Sequence, residues 1–273
     1  MSIVKEIIEI GPDGQLKTKG RIRKEGITRL LERLGKLETF DRMKMLEEFM
    51  KEFPELSDSA FRYRLQRLLE EGKIERVGRN LYCVSGGQKM SYSHRYSKEA
   101  GALAIKVVEN FTYVEFRIFE PSQVEELISE GYDSRVLFLS IDPQFFSYAS
   151  EILRKIYPDQ LLEKPGEEEF NGKILYEKED GWIVLNPLVS EAPRGRERLW
   201  HTDMEKMLTD LITDKVLRSL WSDSQLSETF EKAFEKYHID ESKMFRYARR
   251  RKGEEKLRNF IKENTTLKLR TVK

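Results

Sequence analysis

The stretch SDSAFRYRLQRLL, residues 57 to 69, sets two kinds of side chain on two faces of one helix. Stepping ~100° per residue from Phe61 keeps Leu65, Leu68 and Leu69 together and turns Ser59, Tyr63, Gln66 and Arg67 away, with Arg62 on the flank. The chemistry open to such a face is recognition of a polyanion. Arg and Gln can pair with guanine and adenine edges in a major groove, Ser and Tyr suit phosphates, and no carboxylate interrupts the face before Glu70 and Glu71. Beyond Gly72, KIERVGRNLYCV reads as two β-prone runs joined through Gly78-Arg79-Asn80. Such a hairpin would carry Arg76 and Arg79 to a sugar-phosphate backbone or a minor groove. Any amphipathic helix also needs a solvated face, so what favours nucleic acid is the order of the elements around this one.

Those elements are legible upstream. Ile27, Leu30, Leu31 and Leu34 recur at helical spacing, and so do Phe40, Met43, Leu46, Phe49, Met50 and Phe53, with Thr39 placed as N-cap and Pro54 as the stop. Ser57 stands as N-cap of the third helix. Three helices and a hairpin outline a winged helix-turn-helix domain over residues 25–86. Residues 1–24, with a GPDG turn and the basic run KTKGRIRK, fit a small hairpin or a loose arm. The polar, Gly- and Ser-containing residues 87–97 read as a linker.

From residue 98 to 270 the pattern changes to an α/β domain that ends in a helical bundle, which makes the whole chain α+β. Val114, Phe116 and Ile118 share one strand face, Pro121 opens a helix to Glu130, RVLFLSI is a buried strand, and Asp142-Pro143 start a helix through Tyr157, a β-α-β unit. After the charged insertion DQLLEKPGEEEFNG, KILYE and WIVLNP read as two strands with Asp180-Gly181 at their turn. Thr202 and Glu205 have capping-box spacing, ahead of the stripe Met204, Met207, Leu208, Leu211, Ile212 and Leu217. Three further helices fall around 226–237, 242–250 and 254–262.

Composition limits the function classes. The chain has 36% charged residues, and its net charge of +1 is segregated. Residues 1–97 hold 20 Lys+Arg against 15 Asp+Glu, residues 98–190 hold 9 against 18, and residues 191–273 hold 20 against 15. A basic front would attract a polyanion and an acidic middle would repel one. One cysteine, Cys83, excludes an internal disulfide, and His94, His201 and His238 lie far apart in sequence with no second ligand at metal spacing. Gly86-Gly87 lacks the rest of a phosphate loop, no acid-spacer-lysine triplet of a nuclease strand occurs in 98–190, and Glu167, Glu168 and Glu169 read as a solvated run. The expectation is a cytoplasmic protein with no membrane span, metal, cofactor or catalytic residues.

NPLVSEAPRGRERLWHTDMEKMLTDLITDK, residues 186–215, and the later RYARRR segment resemble the AbiEi-like antitoxins, the transcriptional-regulator half of type IV toxin-antitoxin pairs. The matching positions are Ser190, Glu191, Ala192, Pro193, Glu205, Lys206, Met207, Leu208, Asp210, Leu211, Asp214, Arg246, Tyr247, Ala248, Arg249 and Arg250. Thr202-Asp203-Met204 stands where that family has Pro-Thr-Leu. The resemblance covers roughly residues 95–262. It implies a repressor that binds double-stranded operator DNA of its own operon and counteracts a nucleotidyltransferase-like toxin without a stable complex. It supplies no catalytic residues.

Two other classes fit the same residues. One is a nucleic-acid-processing enzyme of phage defence, which would turn over substrate with divalent metal. The other is a protein-interaction module using Phe230, Phe234, Tyr237 and Tyr247, although residues at that spacing also make an ordinary helical core.

Overall fold

Apolar residues at helical spacing and short β-branched runs organise the first 88 residues into a unit with its own core. The computed structural model describes residues 9–10, 16–17, 19–78, 80–85, 89–128, 135–176, 181–195 and 197–270. A two-residue antiparallel pair, β1 (Glu9–Ile10) and β2 (Leu16–Lys17), precedes α1 (Lys19–Leu34), so most of the basic run KTKGRIRK is the start of a helix. β3 (Phe40–Asp41), α2 (Arg42–Glu52), α3 (Asp58–Glu70), β4 (Ile74–Gly78) and β5 (Leu81–Val84) follow. The strands form an antiparallel sheet in the order β3-β5-β4. Leu30, Leu34, Met45, Phe49, Phe61, Leu65 and Leu68 pack over Phe40, Ile74 and Tyr82 from that sheet. Phe49 and Phe61 meet edge to face at 5.4 Å.

Two local expectations change here. Thr39 does not cap α2; Phe40 and Asp41 pair with Tyr82 and Leu81, and the Asp41 carboxylate accepts from Lys44 N at 2.7 Å instead. Helical spacing could not reveal a two-residue strand, because its partner lies forty residues on. The hairpin is also tighter than its glycine suggested. Gly78 is already paired with Leu81, and Asn80 sits at φ 56° with its side chain accepting from Arg42 N.

Residues 89–97, read from composition as linker, are packed into the second unit, Lys89–Lys273. Tyr92 stacks edge to face on Tyr237 at 5.2 Å, and His94 Nε2 lies 2.7 Å from Glu120. Aromatic residues between serines carried a packing signal that the polar average hid. Then come α4 (Lys98–Asn110), β6 (Phe116–Phe119), α5 (Ser122–Glu125), β7 (Val136–Ile141), a 3-10 turn (Pro143–Phe145), α6 (Phe146–Ile156), β8 (Leu161–Glu163), α7 (Glu167–Tyr176) and β9 (Trp182–Pro187). The bundle is α8 (Met204–Thr213), α9 (Lys215–Ser219), α10 (Asp223–Lys236), α11 (Glu241–Arg250) and α12 (Glu254–Asn264).

The sheet order is β6-β7-β9-β8, with β6 antiparallel to β7 and the other pairs parallel. The β6-to-β7 connection is therefore no crossover, and the parallel units run through α6 and α7. KILYE is not a strand. Its first four residues end α7, and both sides of β9 are taken by β7 and β8, so no antiparallel partner could lie beside it. The missing strand is Leu161–Glu163, too short an apolar run to stand out of its charged surroundings. The helix after Pro121 is likewise shorter than expected, a single turn. Buried on both faces, the strands divide by alternation. Phe138, Leu162, Trp182 and Val184 join the bundle core, while Leu139, Ile141, Ile183 and Leu185 pack with α4 and α6. Overall the fold is α+β.

The α8 cap differs from the capping box read in the sequence. Asp203 is the N-cap, accepting from Glu205 N at 2.9 Å, while Thr202 turns to donate to Ile118 O at 2.7 Å. Thr202 runs beside the β6 edge, where a tertiary acceptor replaces the local one.

Candidate nucleic-acid interface and a buried charge cluster

α3 starts at Ser57, whose hydroxyl accepts from Ala60 N at 3.3 Å and contacts the Ser59 hydroxyl. Burying Phe61, Leu65 and Leu68 leaves Ser59, Tyr63, Gln66 and Arg67 exposed on the outward face, with Arg62 exposed on its flank and Ser57 exposed at the cap. The Arg62 and Arg67 side chains are 69% and 57% exposed. Carboxylates do reach this face. Asp58 pairs with Arg62 at 2.5 Å and with Arg42 at 3.4 Å, Gln66 donates to Glu70 at 2.9 Å, and Arg67 pairs with Glu71 at 2.8 Å. Except for Arg42, which comes from α2, each partner stands one helical turn away, a spacing that brings side chains together and that counting acids along the outward face does not register. Hydrogen bonding to Tyr63 and then to Glu71 raises the Arg67 pKa further. Arg76 is exposed on β4 and donates back to Gly78 O at 3.3 Å, and Arg79 lies outside the described residues.

The motif of the second unit converges where α8 and α11 pack side by side. Lys206 and Asp210, one turn apart on α8, are both buried and 2.5 Å apart. From α11 and its end, Lys243 reaches Asp203 at 2.8 Å and Glu205 at 3.2 Å, while Arg251 reaches Asp210 at 3.2 Å and Asp214 at 2.9 Å. Glu205 also accepts from Asp240 N at 2.8 Å. The two helices thus run in the same direction, with matched charges along their seam. Tyr247 lies between, its ring 5.9 Å from the Lys206 ammonium. Burial, and then the charge of Asp210, push its phenol well above the ordinary value. Burial works against the Arg251 cation, but Asp210, Tyr247 and Asp214 outweigh it and hold its pKa above the usual one. Glu191, in left-handed backbone at φ 60°, takes Arg250 and Arg246 from the outer side of α11. Arg249 instead pairs with Glu254 at 3.0 Å, and Ser190 is exposed.

A family model described as a family of unknown function, DUF6577, matches residues 60–267, well over half of the chain. The chain belongs to that family. No curated protein matches it. Among solved structures it is similar to the crystal structure of the RV2827C protein from Mycobacterium tuberculosis, at 8% identity over 89% of this chain and 83% of that one. The TM-score is 0.24, too low for anything to be carried over.

The family match spans the buried charge cluster and all of α3 but its first residues, and the fold adds residues to this DUF6577 chain that its motifs did not single out. Lys243 and Arg251 stand one turn before and after Tyr247, so the spacing 243, 247, 251 was the available signal. Arg117 is 2% exposed on β6 and had no such signal. Its guanidinium donates to the Phe116 carbonyl at 2.7 Å, to the Leu199 carbonyl at 2.9 Å and to Glu115 at 2.6 Å, with Ala192 and Pro193 carbonyls at 3.4 Å. Burial lowers its pKa. One arginine therefore ties the buried Pro193 and its loop to the sheet edge. A side chain on Gly195 in this loop would come 2.5 Å from the His201 Cβ, so only glycine fits.

Two of the histidines, His94 and His201, are nearer than their spacing implied. Tyr96 lies between His94 and His201, with ring centroids at 4.9 and 4.5 Å. His94 presents the same nitrogen to Glu120 at 2.7 Å and to Ser122 at 3.4 Å, so it cannot relay a proton between them as a triad histidine would. Among the described residues no three His, Cys, Asp or Glu side chains are placed to hold a metal, and no helix is long and apolar enough to cross a membrane.

Proposed function

We propose that the protein is a cytoplasmic, DNA-binding transcriptional repressor of the antitoxin type, controlling its own operon and opposing a nucleotidyltransferase-like toxin without a stable complex. In this reading the first unit is a winged helix that lays α3 in the major groove, with Arg76 and Arg79 on the hairpin against the backbone. The observation that carries it is the outward face of α3, where Ser59, Arg62, Tyr63, Gln66 and Arg67 are exposed together on a helix whose other face is locked into a core. The three helices and the β3-β5-β4 sheet support the same reading. Arg62 and Arg67 are held by acids of their own helix, and exposed pairs of that kind are worth little, about 0.3–0.5 kcal/mol, so a phosphate or a guanine edge can displace the carboxylate. The resemblance to the AbiEi-like antitoxins adds the toxin partner.

The test is fluorescence anisotropy with full-length protein and the duplex upstream of its own gene, against a scrambled duplex at physiological salt. Arg67→Ala should weaken the specific complex by ~1–3 kcal/mol and relax preference at one base position. Equal affinity for both duplexes, or an Arg67→Ala variant that binds like wild type, rejects the reading. Co-expression with the product of the adjacent gene tests the antitoxin part, and undiminished toxicity rejects it.

A further inference from the structure

The carboxyl ends of the three parallel strands open onto a cleft of about 420 Å³. In open α/β sheets that is the edge where ligands bind, and the volume is within the usual range of small-molecule sites. Ser140 lines it from the end of β7 and Asn186 from the end of β9, and Lys164 directly follows β8. Lys206, Arg250, Arg251 and Lys252 also line it, so five cations face the two carboxylates of the lining, Asp210 and Asp214.

Internal pairing accounts for three of the five. Lys206 and Arg251 are matched to Asp210 and Asp214, and Arg250 to Glu191. Lys164 and Lys252 are the surplus. Both are exposed, and neither is paired with a described carboxylate; Lys164 lies 4.1 Å over the Phe146 ring. Both also hold left-handed backbone, at φ 45° and 54°, which costs a residue with a side chain about 1–2 kcal/mol. Phe119, Phe138 and Leu217 supply an apolar wall to the same cleft.

We propose that this cleft binds a phosphorylated small molecule of mononucleotide size. Lys164 and Lys252 neutralise the phosphate, Ser140 and Asn186 donate hydrogen bonds to it, and the body of the ligand lies against Phe119, Phe138 and Leu217. A phosphate monoester carries a charge of about −1.5 to −2 at neutral pH, which matches a surplus of two cations where a carboxylate would satisfy one. The proposal is independent of the DNA reading, which concerns the other unit.

Calorimetric titration of the full-length protein with adenosine monophosphate, with inorganic phosphate and with adenosine tests it. The monophosphate should bind one to one, more tightly than phosphate alone, and adenosine should not bind measurably. Lys164→Ala and Lys252→Ala should each weaken binding by about tenfold, with circular dichroism and melting temperature unchanged. No heat from the monophosphate at millimolar concentration, or equal binding to both variants, overturns the proposal. So does displacement of the monophosphate by a DNA duplex in Lys252-dependent fashion, which would make the cleft a seat for nucleic-acid backbone.

Discussion

Asp210 is the side chain on which most of the buried charge of the second unit depends. It lies 2.5 Å from Lys206 and 3.2 Å from Arg251, with Tyr247 against both partners. A buried pair is weak evidence of net stabilisation, but removing one partner leaves an uncompensated charge. Asp210→Asn should therefore cost about 3–5 kcal/mol in urea denaturation of the full chain. A loss under 1 kcal/mol would mean that water reaches the seam. In the first unit the corresponding residue is Glu48, buried between α1 and α2. Hydrogen bonds from Lys51 and Arg33 hold its carboxyl at about 2, against 4.5 as the ordinary value. The unfolded chain takes up that proton first, so what Glu48 contributes is complete above the ordinary value and is lost as pH falls toward about 2. Glu48→Gln should flatten this stretch of the acid-unfolding curve, and a curve superimposable on wild type would show that the clasp contributes nothing.

For α3 as an element, the acids one turn along from its cations matter as much as the cations. Glu71 holds Arg67 at 2.8 Å and also Lys73 at 2.7 Å. If the face meets DNA, Glu71→Gln frees one guanidinium and removes one repelled charge. Losing the repelled charge should raise affinity for any duplex, and freeing Arg67 for a base edge should raise it most for the specific one. Specific-duplex affinity equal to wild type would mean that Glu71 and Arg67 do not approach DNA. α8 and α11 obey the same rule inside the protein, since residues four apart on each form the stripes that meet across the seam.

At the scale of the molecule, the observed boundary between Gln88 and Lys89 redistributes charge. Residues 1–88 hold 18 Lys+Arg against 15 Asp+Glu and residues 89–273 hold 31 against 33, so the front is less basic than a boundary at residue 97 implied. Its separate core still predicts division of labour. A fragment of residues 1–88 should fold alone and keep most of the salt-dependent duplex binding, while residues 89–273 should bind duplex weakly. Tight, sequence-specific binding by residues 89–273 would reverse that assignment.

Periodicity by itself located α2, α3, α6 and α8 but neither α4 nor α7, and it set the two faces of α3, because burying Phe61, Leu65 and Leu68 compels Arg62, Tyr63, Gln66 and Arg67 outward whatever surrounds the helix. What marked Lys206, Asp210, Asp214 and Tyr247 as a group was the resemblance to the AbiEi-like antitoxins, not the period. Only the tertiary structure decided the sheet order, the strands Phe40–Asp41 and Leu161–Glu163, and the burial of Arg117 among carbonyls of a loop some eighty residues away. Each of these depends on a partner remote in the chain. The pairing energy of a short strand or a lone buried arginine resides in that partner and leaves no local period to read.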